Sequence, residues 1–176
     1  MRFRLLAANF FLWPISGAQA EVQKLAEAGW WAVHGGIRDD GAFTCALVTA
    51  TPDGRGGQFI IEHLHGTNSL FIRMLKPSWT MPRGKSFIVT IQFGFLPPKN
   101  VEMLGSGTEL RAELPWSQAS EFMRQFQGSG RIDVTFNGGT ESPWSLATGG
   151  EGIVEPYFVK CLNMTVQRPA SPPTQP

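Results

Sequence analysis

The sequence predicts a mainly β domain, either an antiparallel β-sandwich or a curled antiparallel sheet, with one or two short helices. Three observations point there. Short β-branched and aromatic stretches recur along the chain, and turn residues separate them. Several stretches alternate apolar and polar side chains, the period of a half-buried strand. Few segments have helical spacing, the clearest being one before Gly128 and one near the C-terminus.

The chain opens with "MRFRLLAANFFLWPISGAQA", residues 1–20. Arg2 and Arg4 supply a cationic start, residues 5–15 are mostly apolar, and Ala18-Gln19-Ala20 offers small side chains to a peptidase. That order is a signal peptide, with cleavage after Ala20 and an exported, periplasmic or secreted product. The apolar run is shorter than the roughly 20 residues needed to span a bilayer, and no second run reaches that length, so no membrane span is expected in the mature chain.

Residues 21–166 then form a single β-rich domain. "EVQKLAEAG" reads as a short helix or a loose lead-in. "WWAVHGG" is a strand, "RDDG" a turn, "AFTCALVTA" a buried strand, and "TPDGRGG" a reversal. "QFIIEHLHG" and "NSLFIRMLK" form a hairpin, followed by the proline-containing bend "KPSWTMPRGK". "SFIVTIQFG" places Phe87, Val89, Ile91 and Phe93 on one face, and "TELRAELP" alternates Leu110, Ala112 and Leu114 with charge. The "GSG" strings at 105–107 and 128–130 read as loops. In "PWSQASEFMRQFQGSG" the period changes: Ala119, Phe122, Met123 and Phe126 follow helical spacing. "RIDVTFN" returns to a strand. "SPWSLATGG" is a loop or short strand that leads to a terminal helix, where Pro156 is tolerated in the first turn. Its core should close at Leu162 and Met164. Residues 167–176, "QRPASPPTQP", have the composition of a disordered tail.

Two cysteines in an exported chain favour one disulfide, Cys45 to Cys161. Cys45 lies in an apolar strand, and Cys161 shares a helical face with Val154, Phe158 and Leu162, so both look inward. Neither has the electropositive, open setting of a reactive thiol. The bond would fasten the C-terminal helix to an early strand.

Composition excludes several classes of partner. The full chain carries 15 basic and 14 acidic residues, and losing Arg2 and Arg4 leaves 13 against 14. The basic residues form no dense run, so bulk charge draws the protein to neither nucleic acid nor an anionic membrane. No Gly-x-Ser-x-Gly elbow, phosphate loop or CxxC spacing is present. Ser69, Ser117 and Ser145 have no assembled base, and Glu109, Glu113 and Glu121 give no reason to prefer a catalytic pair.

Two constellations remain. His63 and His65 in "EHLHG" are two apart on a strand and so share a face, enough to begin a zinc or copper site if a third ligand such as His34 joins. Trp30, Trp79, Trp116 and Trp144 lie near turns, where exposed aromatics stack on a glycan or anchor a protein partner. Trp30 and Trp31 are adjacent, so they point to opposite faces of a strand.

The order of landmarks is similar to that of the exported bacterial proteins grouped around invasion-associated locus B. A tryptophan strand is followed by a cysteine strand. Then come "MPRGKSFIVTIQFG", "ELPWSQASEFMRQFQGSGRIDVTF" and "SLATGGEGIVEPYFVKCLNM". The resemblance runs from about Trp30 to Met164. It departs from the pattern in its single cysteine pair and in "SLATGG" where a tight Ser-Leu-x-Gly is usual. It implies a periplasmic or secreted β-rich protein of a group sometimes linked to host-cell interaction, and it carries over no catalytic residues. The sequence therefore favours a non-enzymatic domain that binds an unidentified protein, small molecule or glycan without a cofactor. The rival class is a metal-binding protein or metal-dependent enzyme built on His63 and His65.

Overall fold

The computed structural model describes residues 21–167. Both the expected signal, 1–20, and nearly all of the expected tail lie outside the described residues. In chain order the elements are β1 (Glu21–Ala28), β2 (Trp31–Ile37), β3 (Phe43–Ala50), β4 (Gln58–Leu64), β5 (Ser69–Leu75), β6 (Ser86–Phe93), β7 (Lys99–Ser106), β8 (Glu109–Pro115), α1 (Trp116–Gln127), β9 (Arg131–Phe136), β10 (Trp144–Ala147) and α2 (Glu151–Gln167).

All ten strands join one antiparallel sheet in the order β1-β2-β3-β4-β5-β8-β7-β6-β9-β10. The sheet is curled but not closed. Its edges are β1 and β10, and they approach at one corner. There the indole N–H of Trp31, beside one edge, donates to the carbonyl of Ala147 in the other at 2.9 Å. Gly29 and Gly150 allow the turns at that corner to touch. A Cβ on Gly29 would stand 2.2 Å from the Gly149 oxygen, and one on Gly150 would stand 2.2 Å from the Ala28 oxygen.

Alternation sorts the sheet into two faces. Trp31, Val33, Cys45, Leu47, Phe59, Ile61, Ile72, Val89, Ile91, Ile132 and Val134 form one buried inner core. α1 enters this core with Ala119, Phe122 and Phe126. Phe126 meets Trp31 edge-on at 4.9 Å, and Phe122 meets Phe93 at 5.0 Å. α2 packs against β1, β2 and β3, burying Val154, Phe158 and Cys161. The Cys45–Cys161 disulfide locks it to β3 across 116 residues of chain.

Four readings of the sequence need correction. "EVQKLAEA" is neither helix nor lead-in but strand β1, because the open edge of β2 offers a ladder that outweighs local helix propensity. Its register shifts between Lys24 and Ala26, and the intervening Leu25 reaches the bare surface of Gly35. "KNVEMLGS" is strand β7, so the first "GSG" begins inside a strand. Pro156 is the sixth residue of α2, beyond the first turn, where it leaves the Gly152 carbonyl without its helical donor. Met164, expected to close the core, is exposed, whereas Leu162 packs partly buried against it.

The topology places one connection over another. β5 is followed in sequence by β6, yet the β8–β7 hairpin lies between them. The 76–85 segment therefore passes the hairpin tip. It bonds there through Met81 N to the Gly107 oxygen at 2.6 Å and Gly105 N to the Lys85 oxygen at 2.8 Å. That crossing carries Lys76 and Trp79 to the end of the sheet where the candidate site lies.

Candidate functional site: an aromatic end-cluster around Glu141

Three loops converge at this end: the β3–β4 turn, the 76–85 connection and the β9–β10 loop. Trp79, from the connection, stacks on Trp144, the first residue of β10, with ring centroids 5.4 Å apart and an interplanar angle of 8°. Phe136, the last residue of β9, meets both rings edge-on at 5.5 and 5.1 Å. Such pairs add about 0.5–1.5 kcal/mol each beyond area burial.

The indole N–H groups of both tryptophans point at one carboxylate. Glu141 Oε2 accepts from Trp79 at 2.9 Å, and Oε1 accepts from Trp144 at 3.1 Å. Oε1 also accepts from the buried ammonium of Lys76 at 2.5 Å. Asp53 stands 3.7 Å from the same ammonium, and hydrogen bonds from the Thr51 hydroxyl and the Arg55 amide hold its own carboxyl below the usual range. Burial pushes the Glu141 carboxyl upward, but the bonds from Lys76, Trp79 and Trp144 outweigh it and leave its pKa lowered. A buried cation and a largely buried anion are thus both paired, as burial of charge requires.

A cavity of about 250 Å3 opens beside the cluster. Its apolar walls include Trp79, Met81, Phe87, Val89, Leu110 and Phe136, and residues 137–141 form its rim. The volume is below that of pockets for drug-sized ligands and suits one side-chain-sized apolar group. A second, polar cavity of about 270 Å3 lies across Glu141, lined by Asp53, Arg55, Lys76 and Ser145 among others.

The fate of the predicted residues follows from this geometry. Trp79 and Trp144 are brought together, but buried. Trp116, half-buried at the start of α1, packs on the His63 ring at 5.3 Å. Of the four tryptophans proposed as contacts, Trp30 is the exposed one, at 64 %. Its neighbour Trp31, the first residue of β2, is fully buried, whereas Trp30 stands in the turn between β1 and β2.

His63 is also buried, and its Nδ1–H donates to the Ser69 carbonyl at 3.0 Å. His65 lies beyond the end of β4, in the turn. His34 cannot join His63 as a third ligand. Register aligns His34 with Ala46 and Glu62, whereas His63 aligns with Cys45 and Gly35 on the other face. Among the described residues no group of three His, Cys, Asp or Glu side chains is placed to hold a metal.

On that outer face Glu62 is buried in an ion network. It accepts from Thr44 and from Arg38 and Arg73, and Arg73 also grips Glu109 through two bonds of 2.7 and 3.0 Å. Burial would lower the Arg73 pKa, but the two carboxylates raise it above its already high value. Every charge here is satisfied within the network, which braces β4, β5 and β8 to one another.

Comparison of the chain with protein-family models, with curated proteins and with solved structures gave no match.

Proposed function

We propose that the protein is an exported, non-enzymatic β-domain that acts by binding a partner or ligand at the periplasm or cell surface. The reading extends to host interaction through the resemblance to the proteins around invasion-associated locus B. One observation carries the binding role: an apolar, side-chain-sized cavity opens beside a cluster whose central carboxylate, Glu141, already receives three donors. Such a site offers shape and apolar contact, and its acid is engaged in holding the walls.

Titration with N-acetyl-phenylalanine amide and N-acetyl-isoleucine amide, followed by NMR, tests it. The indole N–H signals of Trp79 and Trp144 should shift saturably, while that of Trp31 stays fixed. No shift up to the solubility limit, or equal shifts at all indoles, would remove the pocket reading. Terminal sequencing of the exported protein should give Glu21, and a retained Met1 would remove the export reading.

A further inference from the structure

The β7–β8 hairpin stops pairing well before its strands end. Leu104, Gly105 and Ser106 face Arg111, Leu110 and Glu109, and no further pairs follow. Continuing that register would set Glu102 opposite Glu113 and Asn100 opposite Pro115. Like charges directly opposite on one sheet face repel, and proline has no N–H to give the ladder. The tip is pinned by the 76–85 connection, so the hairpin opens like a fork from its closed end.

Each prong is fixed on its far side, β7 to β6 and β8 to β5. Residues 99–103 and 112–115 thus present alternate backbone N–H and C=O groups to the gap between them. The gap is a slot of about 530 Å3. Ile72, Val101, Ala112, Leu114 and Phe122 form its apolar floor, on the inner face, and Lys99 of β7 with Ser117, Gln118 and Glu121 of α1 also line it. Glu102 and Glu113 flank it on the outer face. Serine hydroxyls of Ser86 and Ser69 donate to them, and among the described residues neither is in an ion pair.

We propose that this slot takes an extended peptide segment of a partner protein, added as a strand, with Lys or Arg between Glu102 and Glu113. Strand geometry sends alternate side chains to opposite faces. The flanking residues of the segment therefore point to Phe122 and Leu114 and must be apolar, while main-chain bonds to a prong supply affinity. The cation relieves the carboxylate repulsion that holds the hairpin apart. This site is separate from the Glu141 cluster and extends the binding reading.

The test titrates the purified full chain with acetyl-Val-Lys-Val-Lys-Val-amide and acetyl-Val-Glu-Val-Glu-Val-amide. The lysine peptide should bind and slow amide exchange in residues 99–103 and 112–114, and the glutamate peptide should bind at least about tenfold more weakly. Glu102→Gln with Glu113→Gln should erase that preference while the fold, followed by circular dichroism, persists. The indole signals of Trp79 and Trp144 should not respond, which separates this slot from the pocket. Equal affinity for both peptides, absence of binding, or unchanged exchange at the prongs would overturn the proposal. So would dimerisation of the chain through β7, or binding that emerges only after residues 168–176 are removed, since the occupant would then be the chain itself.

Discussion

Trp79 and Trp144 stack face to face because one carboxylate, Glu141, receives a hydrogen bond from each indole. The stack closes the end of the curled sheet, and the ammonium of Lys76 is buried beneath it. Rings, acid and cation therefore stand or fall together.

Glu141→Gln should cost about 2–4 kcal/mol, because among the described residues it leaves Lys76 with the more distant Asp53 as counter-charge. Denaturant unfolding checks the size. A loss below about 0.5 kcal/mol would mean that the cluster does not brace the end.

The same acid sets a pH dependence. The Glu141 pKa in the fold lies below its ordinary value of 4.5. Its contribution is therefore complete above that ordinary value and is lost as pH falls through the lower, folded value. The urea midpoint of the wild type should fall between about pH 6 and about pH 3, and more steeply than that of Glu141→Gln. Parallel curves would show that other carboxylates carry the acid sensitivity.

Adjacent tryptophans should respond in opposite ways. Trp31 is fully buried, touches Phe59 and Phe126, and bonds across the corner to Ala147, so Trp31→Ala should cost about 3–5 kcal/mol. Trp30 projects outward, and Trp30→Ala should stay within about 0.5 kcal/mol. Thermal melts of the two variants make the comparison.

Where a side chain's role is periodic, the sequence displays it. Val89, Ile91 and Phe93 alternate in β6, Ile132 and Val134 in β9, and Val154, Phe158 and Cys161 repeat along α2, all as the apolar pattern indicates. The disulfide was legible for the same reason, since both cysteines sit on inward faces. β1 was not, because its exposed, helix-prone residues owe their conformation to the edge of β2. β7 escaped because it follows Pro97 and Pro98 and buries only Met103 and Gly105 fully. Glu141 and Lys76 are 65 residues apart and lie on irregular segments, so nothing local marks their pairing. The tryptophans were visible as a group, but which would stack and which would face solvent depends on the crossing of the 76–85 connection.

The corner between the sheet edges gives a backbone prediction. Gly150 has φ of +100°, and a methyl there would meet the Ala28 oxygen at 2.2 Å. Gly150→Ala combines a disfavoured conformation with a backbone clash and should cost at least about 2 kcal/mol. Gly138, also at positive φ but with open space around it, should cost less on the same change. Equal losses at both positions would show that conformation alone matters and that contact between the edges does not.

The disulfide and Gly35 should prove energetically coupled. Cys45 and Cys161 close a loop of 116 residues, which in the chain-entropy account contributes up to about 5 kcal/mol. Cys45→Ala with Cys161→Ala should therefore lower Tm by roughly 6–15 °C, and intact protein should yield a linked peptide in mass spectrometry without reductant. Gly35 lies opposite Cys45 in the ladder, and a Cβ there would stand 2.7 Å from Cys161 Sγ and 2.8 Å from Leu25 Cδ1. Gly35→Ala should cost about 1–3 kcal/mol in the oxidised protein by overpacking. In the cysteine-free background Sγ is gone and α2 can withdraw, so the same change should cost less, the remainder coming from Leu25. The difference between the two costs is the coupling between β2 and the tether. Identical costs in both backgrounds would place the clash at Leu25 alone and remove Gly35 from the seat of the disulfide.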